Sequence, residues 1–202
     1  MGAACVRKTC HGFHEFCSGE GMATKPKAAL EDLYGVDGKA ELVNGDLVIM
    51  EPAGDSHNRA AGAVYISLRG YERKKAVGRA FSDNAGFRVH LPNRGSFCPD
   101  AAFHTGARTG MKFLEGAPVF AVEVRSDGDY GPAAEKKMAA KRADYFAAGT
   151  LVVWDVDLLA NDVVRVYRSS DPENPAIYRR GETAEAEPAA PGWRMAVDEL
   201  FE

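Results

Sequence analysis

At 202 residues, 46% hydrophobic and 27% charged, the chain is long enough to fold one domain around a real core, and none of its apolar runs reaches the length that spans a bilayer. Its formal charge of -4 is unlike that of a strongly basic nucleic-acid coat protein, so any contact with a phosphate backbone has to be local. The first twenty residues lack the apolar stretch of a secretory signal, and "MGAACV" has Val6 where a myristoylation site wants Ser or Thr, so the expected setting is the cytoplasm.

Residues 1–25 read as a leader outside the fold. They hold three of the four cysteines, Cys5, Cys10 and Cys17, with His11 and His14 between them. Thiolate and imidazole are zinc ligands, but the Cys5–Cys10 gap is wider than a finger's, and no second ligand pair follows at a finger-like distance. "AALEDLYG" is a short helical segment ending at Gly35. "KAELVNGDLVIMEP" predicts a β-hairpin, because Asn44-Gly45 supplies the positive φ angles of a tight turn between two alternating runs. "GDSHNRAAGAVYISLRGYERKKA" predicts a helix: Ala60, Ala61, Val64, Leu68 and Tyr71 form an apolar stripe, and the basic residues from Arg69 to Lys75 gather at its C-terminal end as a solvated face. "GRAFSDNAGFRVHLP" reads as two short strands around a Ser-Asp-Asn turn, followed by strands at Pro99–His104 and Pro118–Arg125.

"GPAAEKKMAAKRADYFAAGT" is a strong helix, with Pro132 in its first turn and Gly149 at its end. "LVVWDVD" is a buried strand with Trp154 in the core; "DVVRVYRSS", "PAIYRRG" and "TAEAE" read as a meander, and "AVDELFE" as a last short helix. There are no internal repeats. The order predicts an α+β fold, a mixed sheet flanked by helices, with one β–α–β unit through the long helix and a single domain over residues 26–202.

Two acids interrupt strands that otherwise read as buried, Asp100 in "CPDAAFH" and Glu123 in "VFAVEVRSD". Carboxylates are costly to desolvate unless paired or bound to a cation. If the two strands are neighbours, both acids emerge at one end of a sheet, and with the carbonyl of Val124 they suit a hard cation such as Mg²⁺. Lys141 follows on the next helix with Tyr145 one turn on, and an ammonium there can orient a water and stabilise charge on phosphorus. Structural salt bridges are the plain alternative for the charged residues, and core packing for Tyr145. Asp155 and Asp157 in "WDVD" form a competing pair on one strand face, beside the Asn161-Asp162 turn where acids are ordinary. Cys98 reads as a small core residue.

From about Leu30 to Phe201 the chain resembles the Uma2 (DUF820) family, read as restriction endonucleases of the PD-(D/E)XK superfamily. The resemblance rests on "AELVNGDLVIMEPAGDSHN", "PDAAF", "VEVRSD", "KRADYFAAG", "LVVWDVD" and "GWRMAVDELF". It implies a restriction-endonuclease-like fold with an N-terminal β-hairpin and a Mg²⁺- or Mn²⁺-dependent endonuclease acting on DNA. Asp100 stands at the Asp of the P-D motif, Glu123 at the second acid, Lys141 at the helix-borne lysine of K-x-x-x-Y ending at Tyr145, Glu41 at the acid before the turn and His57 at the histidine opening the next helix.

The resemblance thus implies Asp100 and Glu123 as metal ligands, Lys141 and Glu41 as further catalytic groups, and His57, Arg125 and Tyr145 in support. Two features depart from the pattern. Arg125 stands where E-x-K has lysine, and it cannot act as a base although it can grip a phosphate. "SDGDYG" puts Asp127 and Asp129 near the expected mouth. The alternative is a nucleic-acid- or partner-binding module that keeps the fold without catalysis. Cutting both strands of a duplex is simplest with two sites, which makes a homodimer the expectation.

Overall fold

The structure is a computed structural model that describes residues 27–202. The cysteine- and histidine-containing leader, with its zinc alternative, lies outside the described residues. A 3-10 turn at Leu30–Gly35 leads into β1 (Ala40–Val43) and β2 (Asp46–Ile49). These pair antiparallel around Asn44 and Gly45, at φ of 55° and 82°, the left-handed pair that an Asn-Gly turn supplies. Helix α1 (Asp55–Lys75) buries Ala60, Ala61, Val64, Leu68 and Tyr71, the stripe its 3.6-residue period predicts.

Strands β3 (Arg79–Ser82), β4 (Phe87–Leu91), β5 (Arg94–Phe97), β6 (Ala101–His104), β7 (Leu114–Glu115) and β8 (Phe120–Val124) precede helix α2 (Pro132–Ala147). After it come β9 (Val152–Val156), β10 (Val164–Arg168), β11 (Asp171–Tyr178), β12 (Thr183–Glu185), β13 (Arg194–Ala196) and a 3-10 turn at Val197–Phe201.

The strands form a five-stranded sheet in the order β2-β1-β5-β4-β7, a six-stranded sheet in the order β11-β10-β9-β8-β6-β3, and the small ribbon β12-β13. Strands β8 and β9 run parallel, joined through α2 as the predicted β–α–β unit. Strands β6 and β8 are antiparallel neighbours, Ala101 opposite Val122.

Two expectations change at this level. The strands on either side of the Ser-Asp-Asn turn do not stay together: β3 becomes the edge of the large sheet and β4 crosses into the other. "TAEAE" leaves the meander, and β12 pairs with β13, a strand that local pattern did not mark. Both outcomes depend on which partner lies alongside, and alternation along one strand carries no information about that.

The six-stranded sheet has two covered faces. Ala101, Phe103, Val122, Val124, Trp154 and Val156 pack toward α1, while Ala102, Ala121 and Val153 join Phe87, Phe97, Leu114 and Tyr145 beneath the smaller sheet and α2. Because side chains alternate between faces, Asp100, Glu123 and Asp155 all fall on the second side, in the seam between the two sheets.

Candidate active site

Asp100 precedes β6, and its backbone N–H donates to the carbonyl of Val122 at 3.0 Å, which sets the start of the strand. Its side chain is nearly buried. Oδ2 accepts the N–H of Val124 at 2.8 Å, while Oδ1 faces the Lys39 ammonium at 2.5 Å and His57 Nε2 at 3.3 Å. Lys39 also reaches Oδ1 of Asp83 at 2.7 Å. Burial alone raises a carboxyl pKa, but here the His57 hydrogen bond and the Lys39 charge outweigh it and hold Asp100 well below the usual carboxylate range. The same contact raises the His57 pKa. His57 sits in the first turn of α1, with its Nδ1 buried and without a hydrogen-bond partner among the described residues.

Glu123 and Glu41 meet across the ammonium of Lys141. Lys141 Nζ lies 2.7 Å from Oε2 of Glu123 and 3.0 Å from Oε1 of Glu41. Tyr145, one helical turn after Lys141, donates its hydroxyl to Oε1 of Glu123 at 2.6 Å while its ring stacks on Phe97 at 3.9 Å. Glu41, 3% exposed, also accepts the N–H of Cys98 at 2.9 Å and an Arg94 N–H at 2.6 Å. Arg94 continues to Asp144 on α2 at 2.8 Å.

The two acids are tuned in opposite directions. Burial raises Glu41, but Lys141, Arg94 and the Cys98 N–H outweigh it and bring its pKa down. For Glu123 burial wins over the charges of Lys141 and Lys39, and the charges of Asp100 and Glu41 add to the upward shift. Lys141, beside two carboxylates, is held firmly protonated although burial works against its charge.

Asp100 with His57, and Glu123 with Lys141, Glu41 and Tyr145, therefore form two neighbouring groups where β6 begins and β8 ends. Arg125 does not join them. Its Nε and Nη2 lie 2.8 Å from the two oxygens of Asp155, and Nη1 meets Glu135. Asp155 and Asp157, expected as ordinary acids at a strand end, are buried instead. Asp155 is held by Arg125, and Asp157 accepts the Tyr130 hydroxyl at 3.0 Å. Of the acids flagged at the mouth, Asp129 is turned inward to cap Ser126 by hydrogen bonds to its N–H and hydroxyl.

Sequence reading missed Lys39, Asp83, Arg94 and Asp144. Lys39 had a usable signal, since it stands two residues before Glu41 and alternation places both on one face of the hairpin. Arg94 had none, because its strand β5 did not stand out.

Among the described residues no three His, Cys, Asp or Glu side chains converge as a self-sufficient metal cage. Mg²⁺ commonly takes only one or two carboxylates and keeps its waters, and the donors here are of the oxygen type it prefers. The charge balance agrees. The Asp100 half has Asp83 and Asp100 against Lys39 and a His57 whose pKa the Asp100 contact raises, and the Glu123 half has Glu41, Glu123 and Asp144 against Lys141 and Arg94. The Glu123 half has one more acid than fixed cation, and its carboxylates with that of Asp100 are oxygen donors of the type that fits a divalent ion.

No helix among the described residues is long and apolar enough to cross a membrane. No curated protein matches the chain. A similar solved structure is that of a "putative nuclease belonging to DUF820" from Anabaena variabilis, with a TM-score of 0.67, 15% identity, and coverage of 85% of this chain and 96% of that one. At that identity the likeness is one of fold, and it agrees with the mixed-sheet, helix-flanked architecture. The Uma2 family model, described as "Putative restriction endonuclease", matches residues 28–198, and the chain belongs to that family.

Proposed function

We propose that the protein is a Mg²⁺- or Mn²⁺-dependent endonuclease that hydrolyses DNA phosphodiester bonds. The observation that carries this reading is the Lys141 ammonium held between Glu41 and Glu123 beside Asp100, in a member of a family described as restriction endonucleases. Asp100 and Glu123, with the carbonyl of Val124, would hold the ion. When bound, the ion supplies Lewis-acid polarisation of the phosphate and lowers the pKa of a water.

The remaining work falls to the chain itself. Lys141, kept protonated by its two carboxylates, directs donors at an attacking water and at charge gathering on phosphorus. Glu41 fixes Lys141 and is itself fixed by Arg94 and the Cys98 N–H. Tyr145 orients the Glu123 carboxylate. The test is nicking of supercoiled plasmid by wild type and Asp100→Ala with Mg²⁺, Mn²⁺ or EDTA. Metal-dependent nicking by wild type, absent from Asp100→Ala, is expected; equal nicking by both ends the assignment.

A second reading is a DNA- or partner-binding module on the same fold. It is favoured by the engagement of Arg125, in the place of the superfamily lysine, with Asp155 and Glu135. Such a module would shift DNA without metal and never nick it. The endonuclease reading also takes two copies for a double-strand cut, which sedimentation of the protein with duplex DNA measures.

A further inference from the structure

A groove of about 300 Å³ runs along edge strand β3, walled on its other side by the segment from Arg108 to Leu114. Its lining includes three cations, Arg79, Arg108 and Lys112, and no acid. In a chain of net charge -4 that is a local reversal of sign. Arg108 and Lys112 are exposed and form no ion pair among the described residues. Arg79 uses one nitrogen to hold the carbonyls of Gly106 and Ala107 at 2.7 and 2.9 Å, so it shapes the loop while its charge has no ion-paired carboxylate among the described residues. The nearby Glu115 is engaged with Arg88 at 3.5 Å.

Two features tie the groove to the site. Arg79 and Phe81 alternate onto the same face of the sheet as Asp100: Phe81 opposes Ala102 in the register, and Ala102 shares that face with Asp100. The groove is also lined by Asn84, next to Asp83, which shares the Lys39 ammonium with Asp100. From Arg79, opposite His104, to Ser82, opposite Ala101, the strand covers about 10 Å at roughly 3.3 Å per residue, or about three nucleotides of one strand at about 3.4 Å each. Phe81 and Phe113 also line the groove, Phe81 with the Arg79 guanidinium 5.4 Å over its ring and Phe113 against Tyr34 at 4.5 Å, so the cations sit on an aromatic floor.

We infer that this groove is the track for the DNA strand leading into the active site, with Arg108 and Lys112 contacting its phosphates and Arg79 setting the shape of the loop. The inference rests on the endonuclease reading for the identity of its occupant, but its test does not depend on cleavage.

The experiment is fluorescence anisotropy of a labelled DNA duplex in EDTA, with the full-length wild-type protein and with the protein carrying Arg108→Ala and Lys112→Ala. The two substituted side chains are exposed, and an unchanged thermal midpoint verifies the fold. The added substitutions should weaken binding by roughly tenfold or more at moderate salt and reduce the slope of log K against log salt by about two, one for each phosphate no longer neutralised. Unchanged affinity and slope overturn the inference, as does an acidic polyglutamate chain that competes with DNA at equal charge. Plasmid nicking by the Arg108→Ala, Lys112→Ala protein separates the two levels. Nicking with a raised KM and an unaltered kcat supports the track. An unaltered KM refutes the track and leaves the site reading intact, whereas a wild type that binds DNA in EDTA but never nicks it removes the site reading alone.

Discussion

Lys39 and Asp100 lie 2.5 Å apart, Nζ to Oδ1, with the lysine 16% and the aspartate 5% exposed at the side chain. The lysine comes from the lead-in to the hairpin and the aspartate from the large sheet, so the pair also fastens one sheet to the other. Removing one member of a buried ion pair strands the other charge. Lys39→Met should therefore cost about 3 kcal/mol in urea unfolding without metal. Mg²⁺ should restore part of that loss if it binds Asp100, and the comparison of urea midpoints with and without the ion checks both statements.

Glu41 and Glu123 should leave opposite marks on stability against pH. The folded pKa of Glu41 lies below its unfolded value, so its contribution is present above about pH 4.3 and fades as pH falls below that toward the folded value. The folded pKa of Glu123 lies above its unfolded value, so its contribution is full at low pH and is lost as pH rises through the folded pKa. Between about pH 6 and about pH 3.5, on either side of the ordinary glutamate value, Glu41→Gln should flatten the fall in metal-free stability and Glu123→Gln should steepen it, as read from urea midpoints at each pH.

Tyr145 has two separable parts. Tyr145→Phe keeps the stack on Phe97 and loses only the hydroxyl bond to Glu123, at a cost of about 1 kcal/mol. Tyr145→Ala removes a fully buried ring and should cost about 3 to 5 kcal/mol. Under the endonuclease reading the Phe variant folds but nicks more slowly, which a plasmid assay on the intact protein measures.

Arg125→Lys and Arg125→Gln together distinguish a structural arginine from a phosphate contact. The guanidinium grips both oxygens of Asp155, a geometry lysine cannot copy. The lysine substitution should lower stability by about 2 kcal/mol in urea unfolding, and Arg125→Gln, which removes the charge, should leave the salt slope of DNA binding unchanged.

The Cys98 thiol is buried, and burial pushes its pKa up to about 12. Native protein treated with iodoacetamide at about pH 8 should leave Cys98 unmodified, and unfolded protein should not, as peptide mapping by mass reports.

The local pattern of the chain carried a good deal. Asn44-Gly45 determined the hairpin because few residues accept two successive positive φ angles. The stripe from Ala60 to Tyr71 determined α1, and Pro132 and Gly149 bounded α2. Asp100, Glu123, Lys141 and Tyr145 could be named together because a carboxylate in an apolar strand needs a partner, and residues four apart share a helix face.

Tertiary structure alone decided who the partners are. Pairing β3 with β6 and sending β4 to the other sheet brought Asp83 to Lys39, and docking β5 beside β1 brought Arg94 from 53 residues away to Glu41. It also bound Arg125 to Asp155 through the parallel register of β8 and β9, where Glu123 stands opposite Asp155. Sequence period reports which face a side chain takes. Electrostatic partnership depends on distances between strands remote in the chain, and these exist only once the two sheets have closed on each other.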